Sequence, residues 1–240
     1  MFEERKINPE LLKQYREQGY WKNETLLDCW ERAAAQYPDR EYVVDDRGYR
    51  YTYRELDEAA GRVASYLMEL GIRPGEVVSY QFPIWSEFAM LTIACYKVGA
   101  VAHPIAMSYE EKELARSLNV TESRCYFGPT YFYKTDYEER ILAVRDQTPL
   151  LKDIVLIDSV KPAKSSVRLL REILASYEPL PKEQCVHTKN GQDIAVILCT
   201  SGTTGGTKGV LLSHDNVRFA EEAFNRELGL TKEDIMFMPA

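Results

Sequence analysis

Between residues 76 and 240, short apolar runs alternate with longer stretches whose apolar side chains recur at helical spacing. The pattern predicts a strand at 76–81, a helix over 85–98 stopped by Gly99, and a strand at 100–105. A helix through Leu118, a strand at 124–127, a helix over 136–147, a strand at 153–157 and a short helix over 166–175 follow. Further on come strands at 193–199 and 210–213, a helix over 214–228 and a last strand at 235–238. Two strands joined by a helix, rather than by a tight turn, run side by side in one direction. The expected class is therefore α/β, with mainly parallel sheets interleaved with helices.

The segment before residue 76 reads differently. Asn23-Glu-Thr25 opens a first helix carrying Leu26, Leu27, Trp30, Ala33 and Ala34 on one face, closed by Pro38. Residues 41–45 and 49–52 flank Asp46-Arg47-Gly48 as a hairpin. Thr52-Tyr-Arg-Glu55 is a capping box for a helix with Leu56, Ala59, Ala60, Val63, Ala64, Leu67 and Leu70 on one stripe, ending at Gly71. Ser108-Tyr-Glu-Glu111 reads as a second capping box. Residues 162–166 and 177–191 are polar connections, the second a surface loop that includes Lys189. There is no internal repeat.

Charge and cysteine usage exclude several classes. Thirty basic against 37 acidic residues leave a net charge of −7, a poor basis for non-specific nucleic-acid binding. Five cysteines, none at CxxC spacing, fit neither a zinc site nor a disulfide framework, so a reducing, cytoplasmic setting is expected. The N-terminus is charged, without the apolar stretch of a secretory signal. The most apolar stretch, 88–105, holds Lys97, Gly99, His103 and Pro104 and reads as a buried helix and strand rather than a membrane span.

One segment carries chemistry: Leu198-Cys-Thr-Ser-Gly-Thr-Thr-Gly-Gly-Thr-Lys-Gly-Val210, followed by Leu-Leu-Ser-His-Asp-Asn216. Glycines Gly202, Gly205, Gly206 and Gly209 let backbone N–H groups converge on an anion, and Thr200, Ser201, Thr203 and Thr204 add hydroxyl donors. Thr207 can donate as well, and Lys208 supplies a point charge for phosphate. A Walker A loop starting at Gly202 needs Gly at 207 and Ser or Thr at 209, where this chain has Thr207 and Gly209. The loop also runs from strand to strand, so no helix N-terminus faces the anion.

This segment resembles the signature loop of the adenylate-forming superfamily, which comprises acid–CoA ligases, luciferases and the adenylation domains of peptide synthetases. Tyr51-Thr-Tyr-Arg-Glu-Leu56 resembles the family's early Tyr-x-Glu-Leu segment, and Lys97-Val-Gly-Ala-Val101 with Pro104 its Lys-x-Gly-Ala…Pro segment. The resemblance covers residues 25–240. Tyr20-Trp21…Thr25 looks most like the branch that activates free carboxylic acids, including cyclic and aryl acids. One departure is Thr207, where the family usually has Pro, which leaves a more mobile loop.

The resemblance implies two half-reactions: a small carboxylic acid attacks the α-phosphate of Mg2+-ATP, and coenzyme A then displaces AMP. Thr200, Ser201, Gly202, Thr203, Thr204, Gly205, Gly206, Thr207 and Lys208 would hold the β- and γ-phosphates, with Lys208 as the catalytic residue. No metal ligand is expected in this chain, because the family's adenine, ribose and Mg2+ segments lie downstream. The chain is expected to be the N-terminal part of the AMP-binding domain, ending at Pro239-Ala240 without the C-terminal domain. As such it should be inactive alone and self-associate through surface left open. The alternatives are a stand-alone aryl-acid adenylating enzyme that loads a carrier protein, and a non-catalytic nucleotide-binding or scaffold remnant.

Other residues have plainer readings. His214 and His103 are expected to be structural, His187 solvated, and Cys199 a small buried residue. Tyr126, Tyr131, Tyr133 and Tyr137 are read as core or loop packing, and Glu110-Glu111-Lys112 and Glu138-Glu139-Arg140 as solvated helix faces.

Overall fold

Several helix starts in this chain are set by local hydrogen bonds. The structure, a computed structural model, describes residues 8–188, 190–201 and 207–238. Asn8 caps a short helix, Pro9–Glu17 (α1), that buries no side chain. Thr25 caps Leu26–Gln36 (α2): its hydroxyl accepts the Asp28 N–H at 3.1 Å while the Asp28 carboxylate accepts the Thr25 N–H at 2.8 Å. Glu41–Val44 (β1) and Arg50–Thr52 (β2) form an antiparallel hairpin, with Gly48 at φ 84° in the turn. Thr52 and Glu55 then form the expected capping box for Tyr53–Glu69 (α3).

The alternating part follows: Val77–Tyr80 (β3), Ser86–Lys97 (α4), Val101–Pro104 (β4), Glu111–Val120 (α5) and Cys125–Pro129 (β5). A small hairpin, Tyr131–Phe132 (β6) with Thr135–Asp136 (β7), leads to Tyr137–Val144 (α6) and Asp153–Ile157 (β8). Arg168–Leu169 (β9), Leu170–Ser176 (α7), Ile194–Ser201 (β10), Thr207–Ser213 (β11) and His214–Leu228 (α8) complete the order. The main sheet has the order β11-β10-β4-β3-β5-β8-β9. Every neighbouring pair is parallel except β10–β11, which is antiparallel. The expected α/β class with a mainly parallel sheet is the fold observed.

Strand periodicity assigns the two faces. Val78, Tyr80, Ala102, Cys125, Phe127 and Val155 pack with α2, α3, α4 and α7. Tyr126, Ile154 and Leu156 pack with Leu114 and Leu118 of α5 and Ile141 and Val144 of α6. Leu56 and Leu67 of α3 are fully buried, each contributing about 2 kcal/mol in area terms.

Several expectations change. The helix α1 lies in a segment read only as charged. Ser108 caps nothing: Tyr109 N–H bonds to the Ala106 carbonyl, so Ser108 sits in a turn and α5 starts from Glu110. Arg168 and Leu169 are strand, not helix, because they complete a parallel ladder with Val155 and Leu156. Residues 235–238 form no strand: their side chains are exposed, and no ladder partner lies beside them among the described residues. Glu138 is buried, not solvated, with its carboxylate accepting the Lys164 and Ser165 N–H groups at 2.9 and 2.7 Å. Lys189, in the polar connection, and Pro239-Ala240 lie outside the described residues.

Candidate phosphate site

The candidate loop leaves the sheet at the edge where its parallel strands end. β10 and β11 pair in register from Val196↔Leu212 to Cys199↔Gly209, Thr200↔Lys208 and Ser201↔Thr207. The connection is therefore strand to strand, as expected. The α8 N-terminus lies at the far end of β11, roughly 20 Å away for a seven-residue strand. Paired residues of an antiparallel ladder share a face, so Thr200 and Lys208 stand side by side. Both are exposed. Among the described residues no carboxylate forms an ion pair with Lys208. Ser201 and Thr207 are described by backbone alone, as the closing pair of the hairpin. Gly202, Thr203, Thr204, Gly205 and Gly206 lie outside the described residues.

The opposite face of the same strand end meets a row of polar side chains inside the sheet. Cys199 Sγ is 3.3 Å from His103 Nε2. His103 Nδ1 is 2.6 Å from Ser79 Oγ, which is 2.7 Å from Ser123 Oγ. Ser117 of α5 lies 3.1 Å from Nε2 and 3.4 Å from Cys199 Sγ. His103 is completely buried, and burial pushes its imidazole down to about 4, so the ring is neutral at pH 7. Its structural reading holds. Cys199 is half-buried and hydrogen-bonded, not a fully buried filler. The row was missed in the sequence. Its signal was present: Ser79 and His103 sit among apolar neighbours in strands whose alternation turns both to one face.

The Ser213–Asn216 segment is scaffold. Ser213 caps α8 in a reciprocal box with Asn216. His214 Nδ1 accepts the Leu26 N–H, an otherwise orphaned donor in the first turn of α2. Burial lowers the His214 pKa, keeping the ring neutral. Asp215 accepts from Asn23 N–H and from Gln192, and it lies so close to Gly191 that any Cβ there would collide. A cavity of about 510 Å³, lined by His214, Tyr96, Thr25, Gly99 and Asp193, opens at the start of β4 and β10, away from the loop. His187 is exposed as expected. Tyr126 and Tyr137 are buried, Tyr131 is half-buried and Tyr133 exposed. Among the described residues no three His, Cys, Asp or Glu side chains converge to hold a metal, and no helix is long and apolar enough to cross a membrane.

Comparison with known proteins agrees with this architecture. The medium-chain fatty-acid–CoA ligase of Escherichia coli K12 is 39% identical over 226 residues, covering 94% of this chain and 39% of that protein. The 2,3-dihydroxybenzoate-AMP ligase of Bacillus subtilis is 28% identical, covering 86% of this chain and 36% of the relative. Apo MbtA of Mycobacterium smegmatis superposes with a TM-score of 0.81 at 25% identity, over 95% of this chain and 41% of that one. The chain thus spans about two fifths of the length of the relatives it matches. The sequence profile of AMP-binding enzymes matches residues 30–240, and the chain belongs to that family.

Proposed function

We propose that the protein carrying this chain forms an acyl-adenylate from a small carboxylic acid and ATP and passes the acyl group to coenzyme A. The observation that carries this reading is the β10–β11 hairpin, which sets the only lysine of the loop beside Thr200 with no described carboxylate competing for it. In the first half-reaction a carboxylate oxygen attacks the α-phosphorus, the bond to the β-phosphate oxygen breaks, and pyrophosphate leaves. Thr200, Ser201, Gly202, Thr203, Thr204, Gly205, Gly206 and Thr207 offer backbone N–H groups and hydroxyls to the β- and γ-phosphates. Lys208 adds a positive charge where negative charge accumulates on the leaving group. This is positioning and electrostatic work, with no covalent intermediate on the chain. In the second half-reaction a thiol attacks the acyl carbon and AMP departs.

The domain assignment belongs to the same proposal: residues 1–240 form the N-terminal part of the adenylation domain, acting together with further sequence of the kind the relatives possess. A cytoplasmic location is part of this reading, supported by the cysteine usage.

Relatives with CoA-ligase names and with AMP-ligase names both match, so the acceptor is the point to test. The whole protein, given ATP, a panel of medium-chain and aryl acids and coenzyme A, should release AMP and pyrophosphate and form acyl-CoA in equal amounts. Adenylate formation that coenzyme A leaves unchanged would favour the carrier-protein reading. No acid-dependent pyrophosphate release with any acid would favour the scaffold reading.

A further inference from the structure

Donor counting assigns the polar row beneath β10 a direction when Ser123 is taken as the donor to the Cys125 carbonyl. The Ser123 hydroxyl donates its one proton to the Cys125 carbonyl at 3.2 Å. Ser79 must then donate to Ser123, and it has only lone pairs left for His103. Nδ1, 2.6 Å from Ser79 Oγ, therefore carries the ring proton, and Nε2 is the acceptor facing Ser117 and the Cys199 S–H. The row thus runs from β10 through β4 and β3 to the start of β5, crossing the sheet at right angles to its strands.

The backbone explains why such a row matters. β3 and β4 pair over four positions, but β10 registers with β4 only at Val196↔Ala102. Beyond Val196, no ladder pair joins β10 to β4; Ile197 packs on Val77 and Val101, and nearer the loop Cys199 makes the polar contact with His103 and Ser117. We propose that His103 is the positioning residue of the phosphate loop: its ring, through Cys199, clamps the strand end that presents Thr200 opposite Lys208. This role rests on reading the loop as the phosphate site, but the clamp itself can be measured without nucleotide.

Two substitutions divide the ring's functions. The amide of His103→Asn reaches the Nδ1 position and keeps a donor for Ser79, whereas that of His103→Gln reaches the Nε2 position and can accept from Cys199. In the 240-residue chain, alkylation of Cys199 by iodoacetamide, read by peptide mass spectrometry, should be about three- to tenfold faster in His103→Asn, the range that one net hydrogen bond supports. Amide exchange at Thr200 should rise by a similar factor, and His103→Gln should return both towards wild type. Nitrogen-15 spectra of the imidazole should show the Nδ1–H tautomer. Equal labelling in all three chains, or an Nε2–H tautomer, overturns the clamp. In the whole protein, His103→Asn should raise KM for ATP, with Gln restoring it. An unchanged KM, in a protein where Lys208→Ala slows adenylation, overturns the positioning role. A silent Lys208→Ala would instead overturn the phosphate reading.

Discussion

Acid should destabilise this fold before its carboxylates titrate, and His103 sets the size of the effect. In the unfolded chain the imidazole takes up a proton near pH 6.5, whereas in the fold burial holds it at about 4. Between these values the unfolded state binds more protons, so stability falls as pH drops through this window and levels off below about 4. The full separation corresponds to about 3 kcal/mol, and about 2 kcal/mol of it should be lost between pH 7 and pH 4.5. The ring is completely buried, so solvent screening takes nothing from this figure. Urea unfolding at the two pH values measures the loss, and His103→Gln, which cannot titrate, should lose correspondingly less. His214, also lowered by burial, contributes equally to both proteins and cancels in the comparison. Equal losses in wild type and variant would refute the assignment of the window to His103.

Ser213→Ala should cost about 1 kcal/mol by removing the α8 cap, read as a lower urea midpoint at unchanged slope. Gly99→Ala should cost about 2 kcal/mol or more, because Gly99 sits at φ 67° and a Cβ there would lie 2.8 Å from Val186 Cγ1. The 240-residue chain should sediment as a dimer or larger at micromolar concentration, since Phe224 and Leu228 of α8 and Ile235 and Phe237 beyond it are exposed together. A monodisperse monomer would contradict that last expectation.

What was legible in the sequence follows from how local each cause is. The Thr52–Glu55 box, the stop at Gly71 and the α8 boundaries rest on residues within one turn of each other, and the structure reproduces them. Ser108 has the same spacing but no cap, because the turn closed by Tyr109 moves the helix start past it. Arg168–Leu169 was misread because a two-residue strand has no period of its own and exists only through β8. Residues 235–238 show the converse: an apolar run with strand composition stays irregular without a neighbour. At the site, the Gly/Thr run and Lys208 are singled out by residue type and spacing alone. The pairing Thr200↔Lys208 was not legible, because β10 and β11 extend past the expected strands 193–199 and 210–213 to close a hairpin through Ser201↔Thr207. The link from Cys199 to His103 spans 96 positions and could be seen only once the strand order placed β10 beside β4.

Carboxylate-dependent ATP–pyrophosphate exchange, compared between the whole protein and its Lys208→Ala variant, tests the loop assignment most directly. Exchange should be about 10- to 100-fold slower in the variant, equivalent to roughly 1.4–2.8 kcal/mol of barrier. Exchange at the wild-type rate, in a variant that folds normally, would contradict it.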